Sequence, residues 1–236
     1  MSYADVEMDL RLVSSAAPVR EQAVEKLQYL LVSGRFAPGE RLKERVLIEL
    51  LNTSRTTIRE ALRQLEADGL VAMVPGRGPV VATVTVQDVR DLYEVREVLE
   101  LLAVRLFCER SSDEQVRQLR TSLDSLREAH LAGGPQGILA AKQAFYNVLF
   151  SGTENTSLGA LVERLQVRVS RVRLASLSQP DRIAVGVAEL LPVVEAIDRR
   201  DVKAAEEAYR FHMSQARAAA IRAVEALRES ITDVDE

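Results

Sequence analysis

Apolar residues recur three and four positions apart over most of this chain, a spacing typical of helices that pack on one face. In the first third of the sequence, this spacing predicts three helices, at about 18–33, 43–51 and 55–67. Asn52 falls at the turn between the second and third helices, where a left-handed residue is needed, and Ser54 is a suitable N-cap. The second helix is predicted to bury Val46, Leu47 and Leu50.

One face of the third helix carries a row of arginines. Arg55, Arg59 and Arg63 lie at i, i+4 and i+8, opposite a core-facing apolar stripe. A helix that packs on one side and presents arginines on the other suits entry into a DNA major groove. A solvated face is the alternative for each arginine, and Arg63 has two more, a position over the DNA backbone or an ion pair with Glu60 or Glu66. The predicted core stripe consists of Ile58, Ala61, Leu62 and Leu65.

After the third helix, the sequence predicts a hairpin. Short strands are expected at 70–74 and 79–84, around the tip Pro75-Gly76-Arg77-Gly78. Glycines at such a tip permit a close approach to a phosphate backbone, and Arg77 lies at its end. A solvated turn is the other interpretation of this tip when it is taken alone. Because the hairpin follows a helix-turn-helix, it indicates a winged helix, which we assign to residues 18–84.

Beyond residue 84, glycine and proline become less frequent and nearly every segment has helical spacing. Long amphipathic helices with short connections predict an antiparallel bundle of six to seven helices over residues 85–230. Flexible and frayed tails are expected at 1–17 and 231–236. The predicted fold class is therefore mostly α, an N-terminal winged helix-turn-helix followed by an all-helical domain. The helices are expected at about 87–110, 113–131, 136–152, 156–178, 181–199 and 201–229.

The charge of the chain is unevenly distributed. The net charge is −4, and residues 1–86 contain 11 basic and 11 acidic side chains, whereas residues 87–236 contain 20 and 24. Any positive field for DNA binding therefore comes from the local placement of arginines. The single cysteine, Cys108, excludes an internal disulfide. Since the sequence contains neither a signal-peptide pattern nor a membrane-length apolar run, we expect a cytoplasmic protein with no membrane partner.

Catalytic chemistry has little support in the sequence. It contains no phosphate-cradling GxGxxG or GxxxxGK[ST] motif and no paired histidines at metal spacing. The carboxylates are expected on the solvent-facing sides of the helices, away from one another. We therefore expect that the protein is not an enzyme. A helical scaffold whose first domain contacts protein instead of DNA is a further alternative.

Three runs of sequence carry a family resemblance. SGRFAPGERL, SRTTIREALRQLEADGLV and PGRGPVV together resemble the DNA-binding domain of GntR-type bacterial transcription regulators. The following VQDVRDLYEVREVLELLAVRLFCER resembles the first helix of the FCD-type effector domain in the FadR-like branch. The resemblance implies a homodimeric, ligand-responsive regulator, expected to be a repressor, on a palindromic DNA operator. It implies DNA contacts from Arg45, Arg55, Thr56, Thr57, Arg59, Gly76 and Arg77.

Many members of this branch bind a divalent metal through one aspartate and three histidines inside the bundle. Placed on this sequence, that pattern has Lys142, Tyr146 and Leu190 at ligand positions, and only His212 matches. A lysine adds positive charge where a metal site needs neutral or anionic ligands. The other histidine, His130, does not fit the pattern. We therefore expect no metal and no other cofactor.

Helical spacing turns several polar residues of the bundle toward its interior, where unpaired charge is costly. The resemblance implies that a residue matching Arg96 often contacts an effector carboxylate. The alternative is internal pairing, for example of Arg96 or Lys142 with Glu100, in a constitutive regulator without an effector pocket. In that case His212 is a satisfied core histidine. The expected ligands of a small anionic, carboxylate-type effector are Arg96, Lys142, Tyr146, Tyr209 and His212.

Overall fold

The computed structural model of the protein describes residues 18–132, 135–162, 165 and 182–232. The chain divides between Thr83 and Val84 into two compact units. The tails expected at 1–17 and after 230 lie outside the described residues, except that residues 231 and 232 continue the last helix. None of the helices within the described ranges is both long and apolar enough to span a bilayer.

The first unit contains helices α1 (Val19–Val32), α2 (Glu44–Leu51) and α3 (Arg55–Ala67), followed by strands β1 (Val71–Val74) and β2 (Gly78–Val81). Helix α3 contacts α1, α2 and β1 and so lies at the centre of this unit. The two strands are antiparallel, with Val71 opposite Val81 and Val74 opposite Gly78. This arrangement confirms the predicted winged helix-turn-helix.

The turn between α2 and α3 is fixed by two residues. Asn52 has φ 47° and ψ 53°, the left-handed conformation that asparagine tolerates better than most residues. The Ser54 hydroxyl then caps α3 by accepting a 3.1 Å hydrogen bond from the Thr57 backbone N–H. Both predictions for this turn are confirmed, and together they determine where α3 begins.

The core of the first unit follows the predicted stripe of α3, since Ile58, Ala61, Leu62 and Leu65 are all buried. The prediction for α2 was only partly right. Leu47 and Leu51 are fully buried, whereas Val46 is 41% exposed and Leu50 is half-buried. Leu47 and Leu51 are four residues apart on one stripe, and Val46 points about 100° away from it around the helix.

Strand β2 ends at Val81, three residues earlier than expected. Val84 and Val86 instead pack against the core of the second unit. Helix α4 (Val86–Arg110) starts there with a capping box, in which Thr85 and Asp88 exchange side-chain-to-backbone hydrogen bonds. The boundary between the two units is therefore defined by a strong helix start.

After α4, the second unit continues with α5 (Asp113–Ala132), α6 (Pro135–Ser151), α7 (Arg182–Asp198) and α8 (Val202–Thr232). Residues 156–162 are also helical, and the rest of the helix expected at 156–178 lies outside the described residues apart from helical residue 165. Helices α4 and α7 pack on α8, and α5 packs on α6 and α7. These contacts form the predicted helical bundle, with helix ends within three residues of those expected.

Two close contacts hold the turns of the bundle. A Cβ atom at Gly152 would lie 2.3 Å from the Phe107 ring, so only glycine fits after α6. Arg200 follows α7 with φ 56°, and its guanidinium donates to the Cys108 carbonyl, the Ser111 hydroxyl and the Asp113 carboxylate. The α7–α8 turn is thereby tied to the α4–α5 turn.

Candidate nucleic-acid interface and buried polar cluster

The arginine row of α3 is exposed along its whole length. Arg55, Arg59 and Arg63 all lie at the surface, while the opposite stripe of the same helix is buried. Within the described part of the chain, Arg63 does not pair with either Glu60 or Glu66. The helix thus presents three guanidinium groups to solvent from a backbone that is anchored in the core.

Arg59 forms an ion pair that helical spacing did not predict. Its Nε donates to Oε1 of Glu44 on α2 at 3.0 Å, and the Arg59 side chain remains 64% exposed. The two residues are 15 positions apart, so helical spacing alone could not indicate the contact. Glu44 therefore binds Nε of Arg59. A bidentate contact with a base can use the two Nη nitrogens instead.

The remaining predicted DNA contacts on the helices differ in how strongly they are held. Arg45 on α2 has an 86% exposed side chain and lies 4.0 Å from Glu49, one turn along the helix. Thr56 is exposed. Thr57 is half-buried, and its hydroxyl lies 2.9 Å from that of Ser54 in the α3 cap.

The wing has the backbone conformation that its glycines allow. Gly76 and Gly78 have φ of 73° and 83°, a region that favours glycine, and no atom lies within 4 Å of a Cβ added at either. Between them, Arg77 is exposed and its N–H donates to the Val74 carbonyl at 3.1 Å. All predicted DNA contacts therefore lie in the first unit, and each except Thr57 is exposed.

The predicted effector residues lie in a different setting, inside the bundle. Arg96 and Glu100 on α4 are each 2% exposed and form a two-point ion pair, with Nε–Oε1 at 2.8 Å and Nη2–Oε2 at 3.3 Å. The guanidinium also lies 4.4 Å from the centre of the Tyr93 ring. Burial acts to lower the pKa of Arg96, but Glu100, Tyr93 and Tyr146 together raise the pKa well above the usual value.

Tyr209 on α8 completes this group. Its hydroxyl donates to Oε2 of Glu100 at 2.5 Å. Burial raises the pKa of Tyr209 well above its usual value and the Glu100 carboxylate raises it further, so the hydroxyl keeps its proton and acts as the donor. Among the described residues, Nη1 of Arg96 has no hydrogen-bond partner. Glu100 thus accepts hydrogen bonds from both Arg96 and Tyr209, and Nη1 at the edge of the Arg96 guanidinium has no acceptor among the described residues.

A second buried pair lies next to the first. Nδ1 of His212 on α8 is 2.7 Å from Oε2 of Glu189 on α7, and both side chains are buried. The His212 and Tyr209 rings are 5.8 Å apart. Glu189 was not predicted, and the family metal pattern has its neighbour Leu190 at a ligand position, whereas Leu190 is a buried core residue. The expectation that the carboxylates lie on solvent-facing helix sides was therefore wrong for Glu189, and for Glu100 the alternative of internal pairing with Arg96 is confirmed.

Lys142 and Tyr146 lie on α6. Lys142 is half-buried, and Tyr146 is fully buried with its ring against Phe145 and Phe150. Tyr146 is near enough to Arg96 and Tyr209 to influence the ionisation of both. Within the described ranges, no group of three or more His, Cys, Asp or Glu side chains could hold a metal ion.

The sequence matches two families over most of its length. Residues 19–81 match the bacterial regulatory proteins of the gntR family, and residues 91–215 match the FCD domain. The second match alone covers more than half of the chain.

Individual proteins give the same result. The uncharacterized HTH-type transcriptional regulator YdhC of Bacillus subtilis (strain 168) is 28% identical over 201 residues, which cover 85% of this chain and 90% of that protein. The HTH-type transcriptional repressor RspR of Escherichia coli (strain K12) is 26% identical, and the alignment covers 84% and 87% of the two chains. The solved structure of E. coli McbR/YncC has the same fold, with a TM-score of 0.76 at 23% identity over 87% of this chain and 98% of the other. The chain therefore belongs to the gntR family of bacterial regulatory proteins and is a DNA-binding transcription regulator with an FCD domain.

Proposed function

We propose that this protein is a homodimeric repressor that binds a palindromic operator through α3 and the wing, and that a small anionic metabolite bound in the bundle modulates it. The observation that carries the DNA part is the exposed arginine row of α3. Its backbone is fixed by a buried stripe on one side and by the Ser54 cap at its start. Such a helix can enter a major groove without rearranging.

The individual contacts follow from side-chain chemistry. Arg55 and Arg59 have the donor geometry for bidentate contacts with guanine, the commonest specific contact in the major groove. Thr56 is exposed and can meet a thymine methyl group or a phosphate. Arg45 and the Gly76–Arg77 tip are suited to phosphates, since both are exposed and lie outside α3, the helix proposed to enter the groove. Thr57 is held in the α3 cap through its backbone N–H, so we assign its contact with DNA to its half-buried side chain.

The proposed dimer and the proposed palindromic operator share the same two-fold symmetry. A two-fold symmetric pair of winged helices recognises two half-sites related by the same symmetry. The name of RspR supports repression as the mode of action. For an effector to regulate such a dimer, it must bind one arrangement of the two chains more tightly than another.

The effector proposal rests on Arg96. Glu100 occupies Nε and Nη2, and among the described residues Nη1 has no acceptor, so a carboxylate can bind there without displacing Glu100. Because Glu100 already neutralises Arg96, the added negative charge needs a second cation. Lys142, half-buried on α6, is our candidate for that role. Tyr146, Tyr209 and His212 are the proposed polar neighbours of the effector.

One observation favours a second candidate, a constitutive regulator with no effector. Arg96, Tyr209 and His212 each have a carboxylate partner inside the bundle, as a ligand-free core requires. Thermal-shift titration with carboxylates, coenzyme A esters and sugar acids separates the two candidates. A ligand that raises Tm in the wild type but not in Arg96→Met supports the effector site, and no shift with any of them supports the constitutive regulator.

The DNA part is tested by mobility shift with the region upstream of the protein's own gene. We expect salt-sensitive binding that is lost in the double variant Arg55→Ala/Arg59→Ala. Arg127→Ala is the matched control, since it removes an exposed arginine from α5. If the control weakens binding as much as the double variant does, the DNA surface is not the one proposed.

A further inference from the structure

Helix α4 has a second face, which the buried cluster does not use. Six of its residues follow a heptad spacing of four and three, which places them on one line along the helix. The line covers 19 positions, about 27 Å at 1.5 Å per residue. We call it the α4 outer stripe: Gln87, Asp91, Glu94, Val98, Leu101 and Arg105.

The middle of the α4 outer stripe is apolar and open to solvent. Val98 is 68% exposed, and its neighbour Val95 is 50% exposed. Leu101 and Leu102 on the next turn are half-buried, so each leaves apolar surface uncovered. A single exposed valine needs no explanation, but apolar side chains on successive turns of one face form a continuous patch.

The ends of the stripe carry opposite charges. Asp91 and Glu94 lie on its N-terminal side and Arg105 lies on its C-terminal side, and all three are exposed. Asp91 accepts a hydrogen bond from Gln87 at 2.6 Å. Within the described part of the chain, none of the three acidic and basic groups forms an ion pair. The stripe therefore carries negative charge at one end, positive charge at the other and apolar side chains between them.

This pattern is complementary to itself in one orientation. If two copies of α4 cross antiparallel at Val98, Asp91 of each faces Arg105 of the other, and Val95 faces Leu101. Glu94 then lies opposite Leu102, so its carboxylate stays at the solvent edge. A parallel pairing would instead place Asp91 against Asp91, which costs free energy through like-charge repulsion.

We propose that the α4 outer stripe is the surface on which two copies of this chain associate, antiparallel and about a two-fold axis that passes through Val98. An isologous contact of this kind satisfies both copies with one patch. The occupant is a second copy because the charges of the stripe match its own reversed sequence. The inference rests on the proposed function, which requires a homodimer, and adds to it the surface and orientation.

Charge swapping in the full-length chain tests the surface by sedimentation equilibrium. The single variants Asp91→Arg and Arg105→Asp each bring like charges together, and we expect each to weaken dimerisation at least about tenfold. The double variant Asp91→Arg/Arg105→Asp restores opposite charges and should return to within about threefold of the wild type. Asp124→Arg on α5 is the matched control and should not change the dimer constant. Circular dichroism of every variant checks that the fold is retained.

The possible results are distinguishable. A wild type that stays monomeric at all concentrations overturns both the proposed homodimer and this surface. A dimeric wild type whose single variants dimerise equally well overturns the α4 outer stripe alone. Weakened single variants without recovery in the double variant overturn the antiparallel orientation. If Asp91→Arg unfolds, Arg105→Asp and the double variant still decide the question.

Discussion

The arginine row of α3 and the polar cluster of the bundle use the same residue type in opposite ways. Arg55 and Arg63 are exposed, and Arg59 shares only Nε with Glu44. Arg96 in the bundle is 2% exposed and is bound at two points by Glu100. The first region presents charge to an external partner, and the second has already neutralised its charge internally.

The difference shows how burial decides what a charged residue can do. Exposed ion pairs contribute about 0–1 kcal/mol, so Arg59 can exchange its partner for DNA at little cost. Breaking a buried pair costs about 3–5 kcal/mol, because the remaining charge stays in the protein interior. A ligand of the bundle must therefore add to the Arg96–Glu100 pair, whereas DNA can replace the contacts of α3.

The largest expected effect is on stability, from Glu100→Ala. This change leaves the Arg96 guanidinium and the Tyr209 hydroxyl buried without their acceptor, and we expect the free energy of unfolding to fall by about 3–5 kcal/mol. Chemical denaturation measures it, with Glu128→Ala on the surface of α5 as the control. A loss below about 1 kcal/mol would mean that the pair is not buried in solution.

Arg59→Ala should weaken DNA binding and have little effect on stability. Operator affinity is expected to fall by about 1–3 kcal/mol, roughly 5- to 150-fold, because a bidentate base contact is lost. The free energy of unfolding should change by less than about 1 kcal/mol, since only an exposed pair is removed. Fluorescence anisotropy and denaturation on the same sample check both statements. Equal losses of stability and affinity would contradict the contrast between the two regions.

Tyr209→Phe removes a single hydrogen-bond donor from the buried cluster and should have a smaller effect on stability than Glu100→Ala. Removing the donor to Glu100 should lower the free energy of unfolding by about 1–2 kcal/mol, since Arg96 still pairs with that carboxylate. Burial and Glu100 raise the pKa of Tyr209 in the folded protein. Its contribution is therefore fully present below the unfolded pKa of about 10 and is lost as pH rises through the folded value. Denaturation across this alkaline range should show that decline in the wild type, and it should be smaller in Tyr209→Phe.

The smallest expected effect is that of Glu44→Gln. Loss of the exposed pair should change the free energy of unfolding by less than about 1 kcal/mol. Affinity for DNA of unrelated sequence should rise slightly, because a carboxylate next to the arginine row repels phosphates. Anisotropy with a scrambled duplex measures this change, and Glu128→Gln on the surface of α5 is the control. A marked drop in stability would show that Glu44 is a structural residue of α2.

Local features of the fold were predictable from sequence because their causes lie within a few residues. The left-handed turn at Asn52, the Ser54 cap and the buried stripe of α3 each depend on neighbouring positions, and all three are confirmed. Helix ends also followed from local breaks in the periodic pattern.

Contacts between distant elements were not predictable in the same way. Glu100 was named as an alternative partner of Arg96, and the two are four residues apart on one helix. The pairs Glu189–His212 and Glu44–Arg59 join different helices, 23 and 15 residues apart, and periodicity says only which face each residue occupies. Val46 was misassigned because an eight-residue helix offers few turns from which to judge the buried face.

The central claim, that the exposed arginine row of α3 recognises DNA bases, is tested most directly by the ratio of affinities for the operator and a scrambled duplex of equal length. This ratio is measured at one fixed salt concentration for the wild type and for Arg55→Ala/Arg59→Ala. We expect a large ratio in the wild type and a ratio close to one in the double variant, with similar residual affinity for both duplexes. A double variant that loses affinity for both duplexes but keeps the wild-type ratio would contradict the claim.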